Sequence, residues 1–262
     1  MNLAIASLTV VAIALVQPSA RADQWNKHWA VGEKPELRIT AGDAAVTVEA
    51  GETNGISASL RTEGWSIGSS GVQVIDHQSG NLVQIDIKVP SVHFSWGNRS
   101  IELEVRVPRE MMGDIHTGDG SVRLRGLHGS VRVDTGDGSI QGEDLEGSLE
   151  ARTGDGSVHV GGRFENVQLH TDDGSVDFEA INGSRMRGDW RVQTGDGSVK
   201  LRLPRDFAAD VELRTGDGSI GLGLPLSVTT LQSDHEVRGK LNGGGPLLSV
   251  RTGDGSISLS PQ

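Results

Sequence analysis

The chain contains no cysteine and no tyrosine, and its aromatic residues are limited to five tryptophans and four phenylalanines among 262 residues. Without cysteine there is no disulfide framework, no thiolate metal site and no cysteine nucleophile. With so few large rings, the apolar material must be spread along something thin rather than gathered into a thick core. Cationic side chains are also in deficit, 24 Lys and Arg against 35 Asp and Glu, for a formal net charge of −11. That balance argues against nucleic acid as a partner and for a cationic surface or a cation. The eight histidines are scattered, with no His-x-His or His-Glu-x-x-His spacing for zinc. No serine sits in a Gly-x-Ser-x-Gly turn before a helix, because no stretch carries helical periodicity.

What is abundant is glycine, 37 residues of it, and a repeat. Thr-Gly-Asp-Gly-Ser begins at Thr117, Thr135, Thr153, Thr194, Thr215 and Thr252, with the variant Thr-Asp-Asp-Gly-Ser at Thr171. The spacings are 18, 18, 18, 23, 21 and 37 residues, a period that signals repeat architecture. Between copies, short alternating runs such as Val122 and Leu124, Val131 and Val133, and Val167 and Leu169 read as half-buried strands. Each 18-residue unit therefore holds two strands, the motif turn, and a looser second turn such as Gly126-Leu127-His128-Gly129.

Two all-β folds fit. In an antiparallel meander, Asp-Gly would close hairpins. In a single-stranded parallel β-helix or solenoid, each coil of 18–23 residues rests on its twin, about 4.8 Å away. Only the second gives identical turns a reason to be identical, so the solenoid is expected, with a right-handed coil favoured over a left-handed one. Outward positions agree: Arg132 faces Glu150 and Asp134 faces Arg152 in the implied stacking. Arg214 and Arg251 break the rule, and their 37-residue spacing suggests an intervening coil.

Three parts are expected. Residues 1–22 combine an apolar run, Leu3 to Val16, with Pro18 and the pattern Ala20-Arg21-Ala22, a secretory signal cleaved after Ala22. An uncleaved anchor is the alternative, although the run is short for a membrane span. After cleavage no span remains, and the product would lie in the periplasm, on the cell surface or outside the cell. Residues 23–112 are strand-rich but irregular, with Gly42-Asp43 a worn copy of the turn and Trp25, Trp29, Trp65 and Trp96 available to cover the first coil. Residues 113–262 form the regular part. It stops soon after the last motif, which suggests an open edge for docking or end-to-end self-association.

The aligned acids Asp119, Asp137, Asp155, Asp173, Asp196, Asp217 and Asp254 pose the main functional question. As turn formers, they would accept hydrogen bonds from amides just downstream, between glycines supplying positive φ. As ligands, they would offset a cost: carboxylates about 5 Å apart repel by roughly 0.8 kcal/mol per pair in water. Calcium, which takes six to eight oxygens, would turn that repulsion into binding. Only one turn per coil carries the acid, so each coil offers half a site. Catalysis by a polysaccharide lyase or hydrolase is the third reading, but catalytic carboxylates need unlike environments and these would be alike. No catalytic or cofactor-binding residue is assigned. Phe94 and Trp96, on one side of "SVHFSWGNRS", are candidates for contact with a glycan or an apolar partner.

The export signal, irregular β-rich opening and Thr-Gly-Asp-Gly-Ser punctuated strands, from about Leu37 to Leu259, resemble the bacterial "putative adhesin" domain family. The resemblance implies a parallel β-helix of the cell envelope with no known catalytic residue. A structural or interaction module is then expected, with an envelope protein or glycan as partner.

Overall fold

The computed structural model describes residues 22–90, 99–233 and 235–262, and no helix occurs among them. Their 21 strands belong to one continuous sheet. The chain is all-β, as its alternating pattern requires.

The sheet is organised around the motif. A rung consists of the strand entering a motif turn and the strand leaving it. Entering strands Glu110–Thr117 and His128–Thr135 pair in parallel, with Thr117 opposite Thr135. The next register places Thr135 opposite Thr153, then Thr153 opposite Thr171, then Thr171 opposite Thr194. Leaving strands follow suit: Ile140 lies between Val122 and Val158, and Val176 between Val158 and Val199. Hairpin pairing at Asp-Gly does not occur. Along the strands of the regular rungs the alternating aliphatic side chains turn inward, so Val122, Leu124, Val131, Val133, Ile140, Val158, Val160, Val167 and Leu169 are all buried.

The second turn is tighter than the sequence suggests. Strands Ile140–Thr153 and Val158–Thr171 run through it unbroken, bending at register shifts near Leu145 and Gly147. Asp144 and Gly147 take the positive φ there, 53° and 115°, as Gly126 and Gly129 do one rung earlier.

Spatial order departs from chain order at both ends. The rung Leu82–Lys88 with Ser100–Pro108 lies outside the earlier rung Glu36–Ala41 with Ala45–Gly51, which is flanked on its other side by Glu110–Thr117 and Val122–Arg125. Antiparallel strands then cover it: Gln73–Ser79 on one ladder, and Gly55–Glu63 followed by Ala22–Ala30 on the other. At the far end, Leu247–Thr252 is inserted between Trp190–Thr194 and Ala209–Thr215. Ile257–Pro261 is likewise inserted between Val199–Leu203 and Ile220–Leu222. The last motif is therefore interior, and the expected open edge at Ser256–Gln262 is corrected. On the entering ladder the end is covered by the antiparallel hairpin Ser227–Ser233 and Glu236–Leu241. Unpaired strand edges invite association, and antiparallel covers blunt them.

The same insertion corrects the reading of Arg214 and Arg251. No coil intervenes, since the two residues are direct register partners. Glu212 relieves the repulsion, its carboxylate accepting from Arg251 at 3.3 Å and forming an ion pair with the Arg214 guanidinium at 2.9 Å.

Bulky residues sit where the regular rungs cannot fill the space. Phe164, Phe178, Trp190 and Phe207 form a chain with ring centroids 5.1, 5.7 and 5.2 Å apart. At the other end Trp29 is buried against Trp25, and Arg99 lies 4.0 Å over the Trp65 ring.

Candidate functional site

The motif turns stack into a row, and the threonine side chain builds it. Thr153 is buried, and its hydroxyl donates to the Gly138 carbonyl of the preceding rung at 2.9 Å, with the Gly136 carbonyl 3.2 Å away. The same oxygen accepts from its own Gly156 amide at 3.2 Å. Thr135 and Thr171 repeat the arrangement on the neighbouring rungs. Across the inserted rung it continues, Thr252 donating to Gly197 and Thr215 to Gly255, each at 2.7 Å. In the Thr135, Thr153, Thr171, Thr194 and Thr252 turns the hydroxyl thus satisfies a buried carbonyl on one rung and a buried amide on its own, needs that would otherwise go unmet. Thr153→Val, which keeps the shape and removes both bonds, is expected to cost about 1–3 kcal/mol. Thr153→Ser should recover most of that in a urea unfolding midpoint.

The motif glycines serve closeness rather than unusual backbone angles. None of them has a positive φ, which corrects the expectation from turn chemistry. Instead, a Cβ at Gly156 would stand 2.1 Å from the Gly138 carbonyl oxygen, and one at Gly138 2.2 Å from that of Gly120. The first glycine passes the ladder through the turn: the Gly136 amide donates to Gly118 at 2.6 Å and the Gly154 amide to Gly136 at 2.5 Å. In the variant turn Asp172 takes this place, its carbonyl accepting from Gly195 at 2.6 Å.

The aspartate side chains take no part in these turn hydrogen bonds. Asp119, Asp137, Asp155, Asp173, Asp196, Asp217 and Asp254 are all exposed, and their carboxylates make no hydrogen bond or ion pair among the described residues. The expected acceptance from downstream amides is therefore not seen; Thr has taken that role. Asp43, also exposed, extends the row, because Gly42 accepts from the Gly118 amide at 2.5 Å. In space the order is 43, 119, 137, 155, 173, 196, 254, 217. Among the described residues, no group of three or more His, Asp or Glu is placed to hold a metal ion. Phe94 and Trp96 lie outside the described residues.

Several acids on the ladder faces are paired. On the entering ladder Arg132 donates to Asp134 at 2.9 Å and lies 3.7 Å from Glu150, and this hydrogen bond with the nearby carboxylates raises its pKa. Arg152 pairs with Glu150 at 2.6 Å rather than with Asp134, which His116 approaches at 3.5 Å. On the leaving ladder Gly161 leaves a gap between larger neighbours. The result is an open groove of about 640 Å³ lined by Gln141, His159, Asp177, Glu179 and Arg202. Burial lowers the Arg202 pKa, but its hydrogen bonds to Glu179 and Asp177 outweigh that and raise it. No linear signal announces this groove, since its lining comes from four rungs.

In-register rungs on two parallel ladders, with antiparallel strands over both ladders at one end and over the entering ladder at the other, define the class of protein. The chain belongs to the Toastrack DUF4097 family, whose model matches residues 35–260. No match is found among curated proteins. Among solved structures, a "putative adhesin" of Parabacteroides merdae is similar over 90% of this chain and 95% of its own, at 9% identity and a TM-score of 0.45. A "putative cell adhesion protein" of Clostridium sporogenes is similar over 92% of this chain and 100% of its own, at 12% identity and TM-score 0.41. A "Putative lipid binding protein" of Parabacteroides distasonis covers 92% of this chain and 98% of its own, at 11% identity and TM-score 0.43.

Proposed function

We propose that the chain is an exported, envelope-associated solenoid that works as a non-catalytic interaction module of adhesin type. In this reading the rungs wind as a right-handed coil, residues 1–22 are a removed signal, residues 23–112 cap the coil, and residues 113–262 are its regular body. The observation that carries it is register. Chemically equivalent outward side chains stand side by side on successive rungs, from Asp43 to Asp217 in the turn row. A rigid array of like groups suits multivalent contact, in which weak bonds add through effective concentration. Like environments do not suit acid–base catalysis, which needs carboxylates of different pKa. The partner that fits an unpaired anionic row is cationic: a basic envelope protein or an amine-bearing glycan.

A second reading rests on the same row: calcium held between successive carboxylates. Calorimetry of residues 23–262 separates the two, with chelator or millimolar calcium, alongside binding to immobilised polylysine. The interaction reading expects salt-sensitive polylysine binding that weakens several-fold in Asp137→Asn/Asp155→Asn, with a melting temperature indifferent to calcium. A calcium-dependent rise in melting temperature that this double variant abolishes would replace it with the calcium reading. Wild-type binding no stronger than that of the double variant would reject the turn row as the contact surface.

A further inference from the structure

The rung formed by Leu247–Thr252 and Ile257–Pro261 fills a slot between two rungs that could stack on each other without it. Its neighbours carry the same motif at Thr194 and Thr215, 21 residues apart, a spacing within the range of the regular rungs. Their inward residues are of one kind: Val192 and Leu213 flank Val250, and Val199 and Ile220 flank Ile257. The slot offers the Gly197 carbonyl to the Thr252 hydroxyl on one side, and the Thr215 hydroxyl reaches the Gly255 carbonyl on the other. Everything the slot recognises is contained in the rung itself. Nothing in that recognition depends on the rung belonging to the same molecule.

The connection into the rung is built like a hinge. Asn242, Gly243 and Gly244 all have positive φ, at 46°, 91° and 91°. Its ties are local: Asn242 Nδ2 donates to the Arg205 and Phe207 carbonyls, the Gly245 amide to Asp210 Oδ1 at 3.3 Å, the Asp210 amide to the Pro246 carbonyl at 3.1 Å, and the Gly244 amide to the Leu241 carbonyl at 2.9 Å. Two of these three residues are glycines, which straighten without steric cost. Beyond the hinge, Asp189 Oδ1 receives the Leu247 amide at 2.9 Å, guiding the strand into place.

We infer that residues 247–261 are an exchangeable rung, and that the partner it fits is a second copy of this chain. Two molecules refolding together would each donate the rung to the other, reproducing every contact of the closed monomer and changing only the path of residues 242–246. Exchange that conserves all contacts is a low-cost route to a dimer. This holds whatever the turn row binds.

The absence of native cysteine gives a direct test. Gln193 and Arg251 are register partners on adjacent parallel strands, at a separation a disulfide spans. Gln193→Cys/Arg251→Cys, refolded dilute and oxidised, is expected to give an internally crosslinked monomer. Gln193→Cys and Arg251→Cys chains of different tag length, co-refolded and oxidised, should give a mixed disulfide dimer whose yield rises with chain concentration. The control mixture is Arg123→Cys with Arg251→Cys, since Arg123 sits on the other ladder. A mixed dimer no more abundant than in this control would overturn the exchange. Failure of the double variant to crosslink internally would overturn the insertion on which it rests.

Discussion

Gly156→Ala is expected to lower the stability of the protein by about 3–5 kcal/mol, at the far end of what a single methyl group does. The methyl would stand 2.1 Å from the Gly138 carbonyl oxygen and 2.7 Å from Thr153 Oγ1, so two rungs must part or the turn must deform. Neither yields cheaply, because the Gly154–Gly136 and Thr153–Gly138 hydrogen bonds cross the same gap. Gly161→Ala is the matched comparison: the nearest atom to its added methyl is the Glu179 Cβ, 3.9 Å away. That change should fall within about 0.5 kcal/mol of the parent. Urea unfolding of both variants decides the matter. Equal midpoints would mean the rungs are not held at the distance described.

Trp190→Ala should cost a similar amount, about 3–5 kcal/mol, by a different route. Trp190 is fully buried, meets Phe178 edge-on at 84°, and packs on Phe207. Its Nε1 donates to the Glu165 carbonyl at 3.0 Å, so truncation leaves a cavity and costs that carbonyl one of its two hydrogen bonds, the Arg187 amide keeping the other at 3.0 Å. Trp190→Phe keeps most of the volume and loses the bond, and about 1–2 kcal/mol is expected. Guanidinium unfolding followed by far-UV circular dichroism measures both. A Phe variant as damaged as the Ala variant would place the main contribution in the hydrogen bond rather than the packing.

Magnitudes explain how a row of like charges persists. In the Thr194 rung, Val192, Val199, Leu201 and Leu203 are each fully buried. At about 1.5–3 kcal/mol apiece they outweigh repulsion of roughly 0.8 kcal/mol from each neighbouring carboxylate in water. The fold can carry the acids because its stability comes from elsewhere on the rung.

How much of this could be read from the chain alone depends on what is local. Alternation at Val131 and Val133 or Val167 and Leu169 gives strands directly, and an 18-residue period gives the register of Thr117, Thr135 and Thr153. Neighbour choice is not local. Three motifs with interchangeable inward residues, at Thr194, Thr215 and Thr252, permit more than one stacking order. Only the assembled hydrogen bonds select the inserted one. For the same reason, Arg214 and Arg251 look like a violation until Glu212 is seen beside both. The division of labour inside the motif was also hidden, because Thr and Asp can each accept from a turn amide. Burial decides it, since Thr153 is 3% exposed while Asp155 faces solvent.

The inverted order of rungs at both ends has a consequence for growth. Because the covering strands grip only the outermost rungs, the middle of the molecule is free to lengthen by whole units. A duplicated 18-residue segment between Thr135 and Thr171 would meet, above and below, the same hydroxyl, carbonyl and aliphatic pattern it offers. Such a molecule would gain about 4.8 Å per added unit and keep both termini of its architecture unchanged. Reach, in this design, is a copy number.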